Sequence, residues 1–117
     1  HNSHTLALSQ AIENIIRNGL MHSPEQGVLF VSVQQSEHTL YIQIRDQGPG
    51  VPEDKLEQIF QPFYRLDKAR MRKKGGFGLG LALARKQTQR LGGELSAHNA
   101  PEGGLVMTLQ LPLSPQD

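Results

Sequence analysis

Apolar residues recur at three- and four-residue intervals through 5 to about 21, "TLALSQAIENIIRNGLM", where Leu8, Ile12, Ile15 and Ile16 form one stripe, the pattern of an amphipathic helix. Gly19 lies near its end and Ser23-Pro24 stops it. The period then drops to two. Residues 28–35 and 39–46 read as strands about a polar turn near Glu37, with alternation clearest at Leu40, Ile42 and Ile44, and together they predict a hairpin. "DQGPGVP" reads as a turn, "EDKLEQIF" as a short helix, and 61–77 as a polar, basic loop longer than a routine connection. The helical period returns over about 79–91, where Leu81, Ala84, Thr88 and Leu91 share a face and Arg85, Lys86, Gln89 and Arg90 point away. Gly92-Gly93 opens a last strand pair, near 94–99 and 104–111, around "APEGG". Elements in this order predict an α+β layer arrangement, with helices covering one face of a largely antiparallel sheet.

Composition narrows the classes. The 117 residues suit one domain of common size. Twelve Lys and Arg against 11 acidic residues give a net charge of +1, which argues against a dedicated nucleic-acid binder or a membrane-surface protein. Arg65, Lys68, Arg70, Arg72, Lys73 and Lys74 nevertheless place half of the basic side chains in ten residues, opposed only by Asp67. With no cysteine there is no disulfide and no thiolate metal site, which suits a reducing compartment. No signal peptide or bilayer-length apolar run is present. The first helix begins a few residues after His1 and "PLSPQD" trails off after the last strand, so the expectation is one domain over 1–117 cut from the C-terminal part of a longer chain.

Three stretches carry candidate chemistry. "GGFGLGLALARKQ", residues 75–87, packs four glycines into six residues before a helix, at a backbone cost of about 0.5–1 kcal/mol for each ordered glycine relative to alanine. It is either a plain loop-to-helix junction or an anion site built from free N–H groups and the helix dipole. The absence of Gly-Lys-Ser/Thr excludes a Walker loop, and Gly76, Gly78 and Gly80 do not spell a dinucleotide fingerprint after a strand. Asn14 and Asn18, four apart on the first helix, project from one face and are either solvated surface or oxygen ligands for Mg²⁺. Glu13 and Arg17 beside them have the spacing of a surface ion pair. Asp46 alternates with Leu40, Ile42 and Ile44, so its carboxylate faces apolar cover. It is either turn chemistry or a buried acceptor in need of a donor. An adenine amino group would be such a donor, a guanine carbonyl would be repelled, and Gly48 and Gly50 leave room for a ring.

Side by side, these stretches resemble the ATP-binding catalytic domain of bacterial two-component sensor histidine kinases, in the GHKL-type ATPase superfamily. "ENIIRNG" is similar to the N box, "DQGPG" to the first glycine box, "FQPFYR" to the F box and "GFGLGLA" to the second glycine box, in the family's order and over nearly the whole chain. The resemblance implies a two-layer α/β sandwich with a largely antiparallel mixed sheet. It also implies ATP between the layers beneath a lid at about 61–77. On that reading Asn18 and Asn14 hold Mg²⁺ and Asp46 selects adenine. Gly76, Gly78 and Gly80 let the lid bend and bring N–H groups onto the phosphates. Phe60 and Phe63 either anchor the lid or pack in the core; His22, Arg65 and Leu79 complete the expected nucleotide contacts. The basic run at 65–74 either neutralises the triphosphate or keeps the loop soluble.

The family transfers the γ-phosphoryl group to a histidine on a separate dimerisation domain, typically followed by an acidic residue. Here the five histidines precede Asn2, Thr5, Ser23, Thr39 and Asn99, so the acceptor and the general base are expected outside this chain, which alone should be inactive in autophosphorylation. The implied partners are that dimerisation and phosphotransfer domain and a cognate response regulator, with no nucleic acid. The parent would be a homodimer and an inner-membrane sensor, and this piece a monomeric cytoplasmic domain. Two departures stand out: Met21 where the family often has Lys or Arg, and His22 where it often has tyrosine. The family's strand before the first helix is missing or shortened. The alternatives are a nucleotide-holding regulatory module (a pseudo-kinase) and a GHKL-type ATPase like those of gyrase or mismatch repair. The latter place a catalytic glutamate where Asn14 stands.

Overall fold

A computed structural model describes residues 2–24, 27–64 and 79–113. Helix α1 spans Asn2–His22, strands β1 and β2 span Phe30–Gln35 and Thr39–Arg45, helix α2 spans Gly80–Arg90, and strands β3 and β4 span Glu94–Asn99 and Leu105–Pro112. The expected lid falls largely on 65–78, outside the described residues.

The four strands form one sheet in the order β1-β2-β4-β3. Every pairing is antiparallel, with Ile42 opposite Leu109, Ile44 opposite Met107 and Leu95 opposite Leu109. The expected mixed sheet therefore has no parallel pair among the described residues. Period two along β2 and β4 sends Ile42, Ile44, Leu105, Met107, Leu109 and Leu111 to one face. The helical stripe answers it with Ala11 and Ile15 from α1, and Leu81 and Ala84 from α2. Fully burying a side chain such as Ile15 or Leu109 contributes about 1.5–3 kcal/mol, which is why α1 and α2 lie together on that face. Thr88 joins them with its hydroxyl satisfied, donating to the Ala84 carbonyl at 2.7 Å.

Ser23-Pro24 stops α1 at His22 as expected, and the helix passes through Gly19 near its end. A Cβ there would come within 2.9 Å of Leu29 and 3.6 Å of the Asp46 side chain, so glycine at this position permits close packing. "EDKLEQIF" forms two 3₁₀ turns, Glu53–Lys55 and Gln58–Phe60, in place of one helix. Their N–H groups reach back three residues, Lys55 to Pro52 at 2.8 Å and Gln61 to Gln58 at 3.0 Å, a tighter winding that suits short pieces and buries Ile59 and Phe60 together. β1 is exposed along its whole length; Val31 and Val33 pair with Ile44 and Ile42 but lie on the sheet edge, beyond the helices.

Candidate functional site

The sheet ends and the helix ends meet around a cleft open to solvent. Its polar side is supplied by Asn18 and His22 from the last turns of α1 and by Asp46 just after β2. Val51, Ile59, Leu81 and Leu105 give it apolar walls, and Gly50 and Tyr64 complete the lining. A few placed polar groups against apolar walls is the usual make-up of a small-molecule pocket.

Asp46 is 4% exposed. Its Oδ1 accepts the Gly48 N–H at 2.9 Å and the Leu105 N–H at 3.0 Å, and its own N–H donates to the Leu105 carbonyl at 3.1 Å. Such bonds from backbone donors are what make a buried carboxylate tolerable. Among the described residues Oδ2 has no hydrogen bond, so one lone acceptor belongs to a residue lining the cavity. The turn around it is held by its neighbours. Ser23, at the end of α1, accepts the Gln47 N–H at 3.1 Å, and Gln47 Oε1 accepts the Val28 N–H at 2.8 Å. A Cβ at Gly48 would collide with the His22 carbonyl oxygen. Gly50 has φ 80°, the left-handed region that glycine enters without strain, and a Cβ on it would stand 2.5 Å from Asn99 Oδ1.

The remaining expected residues divide. Asn18 is 9% exposed and lines the cavity. Asn14, one turn earlier, accepts a long 3.4 Å contact from Arg17 Nη1 and lies against Gly80, the first residue of α2. Leu79 precedes that helix and makes no side-chain cap, so the first N–H groups of α2 have no side-chain partner from it. Glu13 pairs with Arg17 at 3.9 Å with 68% of its side chain exposed, as the spacing predicted. Phe60 is buried in the core. Phe63 is 68% exposed with φ 67°, so it does not pack in the core, and the lid it was expected to anchor lies outside the described residues. Arg65, Gly76 and Gly78 lie outside the described residues. Met21 is half-buried and is not among the lining residues.

Arg85, expected to point away, turns inward. Its guanidinium lies 3.9 Å from the centre of the Phe60 ring, donates to both Glu57 oxygens at 3.0 and 3.2 Å, and reaches the Leu95 carbonyl at 3.2 Å. One side chain thus ties α2, β3 and the 3₁₀ turns together beside the pocket. Charge-assisted forked bonds of this kind are the stronger class, and the hydrogen bond from Arg85, followed by its charge, holds the Glu57 carboxyl below its ordinary range against an opposing contribution from burial. The sequence reading missed Val51, Ile59, Tyr64, Leu81 and Leu105 as lining residues. Leu81 was legible on the apolar face of its helix and position 105 only as part of a predicted strand, and nothing in their spacing distinguishes a core wall from a cavity wall.

A family model described as histidine kinase-, DNA gyrase B- and HSP90-like ATPase matches residues 3–115. The chain belongs to this ATPase family. Within it, the chain is 45% identical over 107 residues to the sensor histidine kinase WalK of Bacillus subtilis, covering 90% of this chain and 18% of WalK. It is 44% identical over 107 residues to the sensor histidine kinase CpxA of Escherichia coli, covering 92% of this chain and 23% of CpxA. The chain therefore spans about a fifth of the length of these curated relatives. Among solved structures, the mycobacterial sensor histidine kinase MprB superposes with a TM-score of 0.78 at 29% identity, over 91% of this chain and 70% of that one. This ATPase domain is thus of the sensor histidine kinase kind, with the α+β fold of their catalytic domains.

Proposed function

We propose that the cavity binds ATP with Mg²⁺, and that the domain serves as the catalytic part of a two-component sensor kinase, offering the γ-phosphoryl group to a histidine on a separate dimerisation domain. The observation that carries this reading is Asp46: buried, fixed through Oδ1 by two backbone N–H groups, with Oδ2 free of hydrogen bonds among the described residues. An exocyclic amino group is the complement of that oxygen, and the apolar walls at Val51, Ile59 and Leu105 suit the faces of a purine ring.

The donor set fits the metal as well. Asn18 lines the cavity and Asn14 stands one turn earlier on α1; each carries an amide oxygen, and Mg²⁺ takes few protein oxygens when phosphates supply others. Bound Mg²⁺ supplies positive charge against the phosphate oxygens. Asn18 and Asn14 orient that end, Asp46 orients the base, and the apolar walls exclude water from it. Glu13, the one acidic residue of α1, is turned out to Arg17. A base that would activate water is therefore absent from this helix among the described residues, which favours presenting phosphate to a partner over hydrolysing it. We place the domain on the cytoplasmic side of a membrane sensor, with a response regulator downstream; among the described residues no helix is long and apolar enough to cross a membrane.

The test is calorimetry of Mg·ATP and Mg·GTP binding to the 117-residue chain. ATP is expected to bind and GTP to bind far more weakly; equal affinities would remove the role given to Asp46.

A further inference from the structure

Both backbone groups of Val51 are engaged by a single side chain. The Val51 N–H donates to Asn99 Oδ1 at 2.8 Å, and Asn99 Nδ2 donates to the Val51 carbonyl at 2.6 Å. Nδ2 donates again to Glu53 Oε2 at 3.0 Å. A carboxamide presents a donor and an acceptor side by side, as a neighbouring strand's backbone does. The last residue of β3 thereby extends a ladder-like pair into the loop that follows β2. Gly50 completes the contact, since any side chain there would run into Asn99 Oδ1.

The placement is not confined to the loop. Asn99 lies opposite Leu105 in the β3–β4 register, and Leu105 is the residue whose N–H holds Asp46. One rung of the sheet thus sets both sides of the cavity: Leu105 fixes the acceptor, and Asn99 fixes the Gly50–Val51 wall. Few other side chains would do. Serine is too short to make both bonds, and aspartate would turn a carboxylate toward the Val51 carbonyl and Glu53.

We infer that Asn99 is a positioning residue for the base-recognition end of the site. It acts through Gly50 and Val51, setting their wall relative to Asp46 and with it nucleotide affinity and base preference. The inference rests on the ATP-site reading above.

The experiment compares the unmutated chain with N99A and N99D, reading Mg·ADP and Mg·GDP affinity by calorimetry and backbone amide exchange at Val51 and at Leu109 in the core. Loss of all three side-chain hydrogen bonds in N99A, or of the two made by Nδ2 in N99D, is expected to weaken ADP about tenfold, narrow the ADP-to-GDP ratio, and speed exchange at Val51 while Leu109 stays protected. ADP affinity within about twofold of the unmutated chain, less than the loss of one net hydrogen bond gives, would overturn the inference. So would a loss of affinity that tracks faster exchange at Leu109, because that is general loosening. If N99A does not fold, N99D decides on the same criteria, since it keeps the acceptor for the Val51 N–H and removes both donors. An unmutated chain that binds no ADP overturns the underlying reading instead, and is told apart because Val51 exchange still responds to Asn99.

Discussion

At Gly50 the backbone stands at φ 80° with Asn99 Oδ1 where a side chain would go. Gly50→Ala is therefore strained twice, by a left-handed conformation that costs an L-residue about 1–2 kcal/mol and by the collision. It is expected to lower the unfolding free energy by at least that much, read as a lower denaturant midpoint at unchanged slope, and to abolish detectable Mg·ATP binding in calorimetry. Asp46 makes a different demand. Asp46→Asn keeps an oxygen for the Gly48 and Leu105 donors but turns an NH₂ group toward the cavity. The expected result is a folded chain that has lost its preference for ATP over GTP; a preference kept in full would place base recognition elsewhere.

Among the elements, the junction of α2, β3 and the 3₁₀ turns depends on Arg85. Arg85→Ala removes forked bonds and the cover over Phe60, and is expected to cost about 1–3 kcal/mol in chemical denaturation. The Glu57 carboxyl, held low by Arg85, makes a smaller and pH-dependent contribution. Its folded-state pKa lies below its unfolded value, so the contribution is present above about pH 4.5 and lost as pH falls through the folded value. Thermal midpoints of the unmutated chain and Glu57→Gln should differ slightly at pH 7 and converge under acid; 79% exposure of that side chain keeps the gap small. The elements were legible to different degrees. Long stripes such as Leu8–Ile16 and the alternation through Leu40, Ile42 and Ile44 named α1 and β2 because burial enforces a period there. "EDKLEQIF" failed as a helix because winding tightly buries Ile59 and Phe60 over a segment too short for helical cooperativity. Arg85 reads as solvent-facing by spacing, and its inward turn depends on Glu57, Phe60 and Leu95, whose approach no local pattern encodes.

Across the whole molecule the polar end of the site was legible and its walls were not. Asn18, His22, Asp46 and Gly50 carry chemistry in their residue types, whereas Val51, Ile59 and Leu105 become a wall only once the sheet and helices close. The same assembly makes binding a stability measurement: Mg·ATP at 100 times its dissociation constant adds about 2.7 kcal/mol, and is expected to raise the thermal midpoint by roughly 10 °C in a domain of this size. Asp46→Asn should lose most of that rise. Incubation of the chain alone with labelled ATP should leave His1, His4, His22, His38 and His98 unlabelled, and adding a histidine-bearing dimerisation domain from a related kinase should give label on that partner. The shared duty of Asp46 also constrains how such a pocket can be retargeted, by evolution or by an engineer. The oxygen that would read the base and the oxygen that knots β4 to the glycine turn belong to one carboxyl group. A lineage moving toward another base is therefore confined at position 46 to residues that keep an oxygen for the Gly48 and Leu105 donors, as asparagine does; any other residue must first find a substitute acceptor for them.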